Sequence, residues 1–285
     1  MGMLILYTQG REDFPGLSRA FIPMLSELFT YITTHCQQYV RHMDYLYEAI
    51  AMRGRYRRNR SAWQPHLDHT RRFVLSAVDA CKSRNKVVVL GAGLLLDVPL
   101  DELSSMFREV ILADIVFLPE VGRSVKRYSN VKLVQHDVTN TAEKLHANIL
   151  QSISDLPESR PNVPAIDQDT NLVISLNILS QLWVMPRAYT LKMLPRIDEE
   201  LIDDWCKQLV EQHYAWLRSL PCAVGLVADH EFVKRDQQGR VVSRGSTIFS
   251  LVLPEPDEAW TWNIAPIREE RRYFSKELIV GAWHW

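Results

Sequence analysis

In the stretch Lys86–Val98, KVVVLGAGLLLDV, four apolar residues from Val87 to Leu90 run into Gly91-Ala92-Gly93, and Asp114 ends the next apolar run, VILAD. A continuous apolar run that stops at a glycine reads as a buried strand of a parallel sheet. Gly91 and Gly93 then allow a turn in which no Cβ keeps a ligand from the backbone. A helix start following that turn would aim free N–H groups and partial positive charge at the ligand. At the tip of a second strand, Asp114 is placed to accept hydrogen bonds from both hydroxyls of a ribose. A nucleotide-cofactor pocket at the carboxyl ends of adjacent parallel strands uses such a set.

Further chemistry-bearing residues fall at the ends of later apolar runs: Asn177, Ser180 and Gln181 after one, Asp229 and His230 after another. His230 would serve as a general base, because an imidazole titrates near neutrality, or would be a satisfied histidine at a strand end. Asn177 and Gln181 would orient a substrate amide or amine, or cap the helix that follows. His66 and His69 stand three apart on one helical face, a spacing two metal ligands can use, but no third ligand stands nearby in sequence. The other readings are a polar pocket mouth or an exposed face. Arg53–Arg60, RGRYRRNR, holds five arginines and reads either as a solvated loop or as an anion clamp. Trp63, Trp183 and Tyr189 would line an acceptor pocket or belong to the ordinary core. No Ser-His-Asp, zinc or P-loop pattern competes.

The elements that must position these residues alternate. Lys86–Leu90, Glu109–Asp114, Val131–Gln135, Asn171–Leu176 and Ala223–Ala228 read as strands. Helices are expected near Pro99–Phe107, Glu120–Tyr128, Thr141–Ser154 and Asp198–Leu217. This is the pattern of an α/β domain. Val241–Leu253, Trp260–Ile264 and Leu278–Trp285 read as further strands on connectors too short for helical crossovers, hence antiparallel. Ahead of the sheet, apolar spacing from Leu17 to Ile50 predicts two helices over 17–52, broken near Thr33–His35, and a third over Pro65–Lys82. The 285 residues, 47% apolar and 24% charged, suffice for a sizeable core. A net charge of −1 provides no global field for nucleic acid or an anionic membrane. No apolar run is long enough to span a bilayer. Leu4–Tyr7 is too short for a signal-peptide core, and Cys36, Cys81, Cys206 and Cys222 form no CxxC pair, so a cytoplasmic protein with reduced thiols is expected.

Over about residues 86–285 the chain resembles the class I S-adenosylmethionine-dependent methyltransferases. The resemblance rests on the glycine turn, Asp114, Asp137 after the third strand, and the antiparallel finish. It implies a Rossmann-like, seven-stranded, mostly parallel sheet with an antiparallel C-terminal strand, preceded by an N-terminal helical cap over 1–85. It implies S-adenosylmethionine as cofactor and methyl transfer to an O, N or S nucleophile of a small molecule. Gly91, Ala92 and Gly93 would lie along the methionine part, and Asp114 with Ile115 at the ribose. Asp137 and Val138 would sit against the adenine, and Asn177 near the methionine moiety and substrate. Asn177, Gln181 and His230 are the catalytic candidates. The family's usual acid two before the first glycine is Val89 here, and its usual third glycine is Leu95. Asp97 would replace the missing acid or cap a helix. Two other readings stay open: a binding or scaffold protein without turnover, and an NAD(P)-binding protein, whose fingerprint wants a third glycine where Leu96 stands. A homodimer through the N-terminal helices is a further expectation.

Overall fold

The computed structural model describes residues 21–267, 269 and 273–285. The expected helical residues 17–20 and the Leu4–Tyr7 run lie outside the described residues. Three helices come first: α1 (Phe21–Thr33), α2 (Gln38–His42) and α3 (Tyr45–Asp79). The break expected near Thr33–His35 is present. The arginine loop is not, because α3 continues through Arg53–Arg60 with a kink at Asn59. Arginine and tyrosine are adequate helix formers, and three of the arginines are held by acids. Arg53 pairs with Glu120 at 2.9 Å, Arg58 with Glu269 at 2.5 Å, and Arg55 with Glu48. Pro65 lacks the N–H of a normal helical turn. The helix departs from helical geometry at Asn59, φ −113° and ψ 20°, where the Asn59 side chain donates to the Arg55 carbonyl at 3.0 Å.

The sheet follows with β1 (Lys86–Leu90), α4 (Leu100–Met106), β2 (Glu109–Asp114), α5 (Pro119–Val125), β3 (Val131–Gln135), α6 (Ala142–Leu150) and β4 (Thr170–Leu176). Then come α7 (Val184–Met193), α8 (Glu199–Ser219), β5 (Ala223–Asp236), β6 (Val241–Ser246), β7 (Glu258–Ala265) and β8 (Phe274–His284). Strand order is β3-β2-β1-β4-β5-β8-β7, with β6 paired to β5. The five strands β1 to β5 are mutually parallel, and β8 lies antiparallel between β5 and β7. The sheet thus has eight strands rather than seven. β5 continues past its last pairing with β4, at Leu176↔Val227, and β6 pairs with that overhang. The expected strand Val241–Leu253 stops at Ser246, and Phe249 takes a left-handed φ of 57° in the turn that follows.

Alternate residues of β1 serve opposite cores, as strand geometry requires. Val88 and Leu90 pack with α6, α8 and the N-terminal half of α3. Val87 and Val89 pack with the C-terminal half of α3, with α4, and with Trp260 and Trp262 of β7. Position 89, where the resemblance wants an acid, is therefore fully buried apolar core. Asp198 caps α8 by accepting from the Glu200 N–H at 3.0 Å, worth about 1 kcal/mol.

The order of strands reverses between β1 and β4, and the chain turns there at Gly91, φ 77°. A Cβ on Gly91 would stand 2.2 Å from Ile178 Cγ2 and 2.5 Å from the Leu176 carbonyl oxygen. Packing against the end of β4 therefore requires glycine at this position. Gly91→Ala is expected to cost about 2–4 kcal/mol in chemical denaturation, from collision and left-handed backbone together. Gly122→Ala in α5, where a Cβ would meet nothing within 4 Å, is the control and should stabilise by about 0.5–1 kcal/mol.

Candidate cofactor site

A cavity of about 310 Å³ opens at the carboxyl ends of β1, β2, β3 and β4. Gly91, Ala92, Gly93, Asp114, Ile115, Asp137, Val138, Asn177 and Gln181 all line it. This is the crevice where an open parallel sheet binds its ligands. His230 does not line it. β5 runs on to Asp236, so His230 is mid-strand, at a register shift between Asp229 and Glu231, with its ring against Trp283. Its expected role as base at a strand tip is corrected accordingly.

Asp114 turns one carboxylate oxygen, Oδ2, to the Gly93 N–H at 2.8 Å. This bond holds the glycine turn against the tip of β2. Burial raises the Asp114 carboxyl to about 6, and the nearby Asp97 charge adds to the shift. Gly93 itself has φ 42°, and Leu95 takes φ 59°, the conformation of the glycine it stands in for. An L-residue there costs roughly 1–2 kcal/mol.

The expected helix start at the glycine turn is absent. α4 begins only at Leu100, behind the cap residue Pro99, and neither residue lines the cavity. Asp97 is not a helix cap. It faces the cavity and accepts from Asn177 Nδ2 at 2.8 Å, and burial raises its carboxyl. Asn177 has φ 52°, and its Oδ1 is buried with no hydrogen-bond partner.

Asp137 lines the cavity, but both its oxygens are engaged. Oδ1 accepts from the Thr139 N–H and hydroxyl at 2.9 and 2.7 Å, and Oδ2 from the Thr141 and Ala142 N–H groups at 2.9 and 2.8 Å. Four donors saturate a carboxylate. Its reading as acceptor for an adenine amino group is corrected: Asp137 ties down the turn into α6. Gln181 donates to Ser180 Oγ at 2.9 Å, and Ser180 to the buried Asp229 Oδ1 at 2.6 Å. Ser180 and Asp229 thus anchor Gln181 from behind.

The roof comes from the N-terminal helices. Tyr45, Glu48, Ala49, Met52, Trp63 and His66 of α3 line the cavity, facing Trp262 of β7. His66 stacks on Trp262 with centroids 3.9 Å apart, and Trp63 meets Trp262 edge-on at 5.2 Å. His69 stacks on Trp260, and no cluster of three metal-ligating side chains occurs among the described residues. Sequence reasoning missed β7 as a wall. Its signal was the alternation Trp260-x-Trp262 opposite the His66/His69 face. Trp183 and Tyr189 are buried outside the cavity, Trp183 donating to the Thr247 carbonyl at 3.1 Å. The arginines of Arg53–Arg60 do not line it either, so they form no clamp over the ligand.

The chain matches no protein-family model and no curated protein sequence. Among solved structures it is similar to DhpI in complex with SAH, at 15% identity and a TM-score of 0.36, over 81% of this chain and 93% of that one. The DhpI complex with SAM and HEP matches at 15% and 0.36, over 86% and 99%. The 23S rRNA methyltransferase ErmE matches at 10% and 0.29, over 75% and 67%. At these identities and scores the likeness adds nothing to the strand order itself. The sheet keeps the Rossmann-like, mostly parallel order expected from the sequence, with one strand more than the seven expected. No described helix is long and apolar enough to cross a membrane.

A carboxyl whose folded pKa lies above its unfolded value contributes stability only while protonated. That contribution is complete below about pH 4 and lost as pH rises through about 6. At neutral pH the ionised Asp114 therefore weakens the fold. Asp114→Asn keeps an acceptor for the Gly93 N–H and removes the charge. It should stabilise the free protein by about 1–3 kcal/mol at pH 7.5, with the gain vanishing near pH 4. Urea unfolding at the two pH values reads this, and a loss of stability at pH 7.5 would refute it.

Proposed function

We propose that the protein is an S-adenosylmethionine-dependent methyltransferase acting on a small molecule, with residues 1–85 as a cap on the cofactor-binding domain of 86–285. The observation that carries this reading is the charge of the cavity. Asp97 and Asp114 line it, together with Glu48, which Arg55 meets, and Asp137, which Thr139, Thr141 and Ala142 engage, and no lysine or arginine lines it among the described residues. Such a wall suits a sulfonium cation bearing an ammonium group. It does not suit the pyrophosphate of a dinucleotide, which wants a helix N-terminus or cations, and α4 begins away from the cavity.

The residues present fit the cofactor. Asp114, at the tip of β2, would hold the ribose, and the orphaned Asn177 Oδ1 beside Asp97 would offer acceptors to an ammonium. The bound cofactor would supply an activated methyl group and needs no covalent help from the protein. This chain's residues would bind, orient and exclude water. Tyr45, Ala49, Met52, Leu182 and Met185 provide an apolar surface for the acceptor, and α3 covers it. Gln181, fixed through Ser180 and Asp229, would align the acceptor's polar group. With no lysine or arginine on the wall among the described residues, the acceptor would be neutral or an amine rather than an anion.

Calorimetry should show S-adenosylhomocysteine binding in roughly the micromolar range, and no comparable heat with NAD. Asp114→Asn should weaken that binding at least about tenfold, because a charge-assisted bond is worth about 1.5–3 kcal/mol. Tight NAD binding without a response to S-adenosylhomocysteine would overturn the reading.

A further inference from the structure

The tautomer of His66 is fixed by its neighbours. Trp260 of β7 donates its indole N–H to His66 Nδ1 at 3.0 Å. An indole nitrogen only donates, so Nδ1 is an acceptor and carries no proton. Burial, and secondarily the adjacent His69, lowers the ring's pKa to about 3, so the imidazole is neutral. Its one proton is therefore on Nε2.

That proton meets no acceptor among the described residues. Nε2 faces the side-chain nitrogen of Asn177 at 3.4 Å, and that nitrogen already donates to Asp97 Oδ2 at 2.8 Å. Two N–H groups do not bond to each other. The amide of Asn177 is oriented by Asp97, which leaves Asn177 Oδ1 without a donor. The imidazole cannot swing away, because it is stacked on Trp262 within 3° of parallel. The cluster is thus short of one acceptor and one donor. Its members His66, Asn177, Asp97 and Trp262 all line the cavity. Unpaired buried polar groups are costly, and a molecule offering an acceptor next to a donor removes both deficits.

We propose that His66, locked as the Nε2–H tautomer by Trp260, donates a hydrogen bond to a carboxylate of the bound molecule, whose neighbouring ammonium is accepted by Asn177 Oδ1 and Asp97. The site thereby recognises an α-amino-acid end. This rests on the proposed cofactor, whose methionine end carries both groups. Besides Asp97, His69 of α3 acts on the ring, and Arg71, whose guanidinium bonds the Leu96 carbonyl, acts on Asp97.

The test is nitrogen NMR of the full chain labelled at histidine, with S-adenosylhomocysteine and methylthioadenosine as probes. The second probe keeps the adenosine and lacks the amino acid. The free protein should show one imidazole protonated at Nε2, bare at Nδ1, and unchanged from about pH 5 to 8, where a free histidine titrates. S-adenosylhomocysteine should shift its Nε2 resonance and methylthioadenosine should not. Trp260→Phe should release the lock and mix the tautomers. His66→Phe should shrink the affinity advantage of S-adenosylhomocysteine over methylthioadenosine by about tenfold. An Nδ1–H tautomer, a ring that titrates in that range, or equal shifts with both probes overturns the proposal. If the tautomer is as stated but S-adenosylhomocysteine does not bind, the cofactor reading fails and the carboxylate assignment falls with it.

Discussion

The contact of Gly91 with the end of β4 is the constraint on which the site depends. β1 and β4 are neighbours at the point where the strand order reverses, so their exits diverge and leave a crevice. With no side chain at Gly91, the turn after β1 lies directly on Leu176 and Ile178. This sets the height of the glycine turn relative to Asn177, whose own left-handed backbone carries its amide to Asp97. The bond from Gly93 to Asp114 ties the same turn to β2 on the other side. One short loop is thereby pinned to two strands, and the acceptors that face the cavity are held by the sheet rather than by a mobile segment.

The cost of this arrangement is electrostatic. Burial raises the carboxyls of both Asp97 and Asp114, and the Asp97 charge raises Asp114 further. Arg71, outside the cavity lining, offsets part of the shift at Asp97, and among the described residues no lysine or arginine lines the cavity itself. An arrangement that weakens the free protein is explained if the compensating cation belongs to the ligand. The unpaired Asn177 Oδ1 fits the same account, since a buried acceptor without a donor is otherwise a defect.

Much of the sheet was legible because a parallel strand buried on both faces writes itself as an uninterrupted apolar run. β1, β2 and β3 begin and end at the residues expected from sequence. Glycines at the turn and the acid at Asp114 were legible for the same reason, since each stands at the end of such a run. What escaped was everything set by partners distant in sequence. β5 outruns its apolar core because β6 and β8 pair with its polar continuation, which moved His230 from a tip to mid-strand. Asp137 has the position of a ligand residue, yet the N–H groups of Thr139, Thr141 and Ala142 fold back onto it. Local sequence shows that an acid ends a strand; it does not show which donors reach it first.

The long helix α3 illustrates how charge is sorted by geometry rather than by count. Its arginine-rich stretch looks like an anion site in sequence, but Arg53 and Arg58 pair with Glu120 and Glu269, outside the cavity wall. Glu48, one side of the same helix, faces the cavity and is itself met by Arg55. Beyond the kink at Asn59, the helix turns Trp63 and His66 onto Trp262 and Trp260. One helix thus lines the cavity from both sides of its kink and packs on the sheet with its second half. Its basic residues lie off the cavity wall, and its cavity-lining residues are acidic, aromatic and apolar. That division suits the cationic cofactor proposed above, because a guanidinium on the inner face would repel the charge that the acids below would hold.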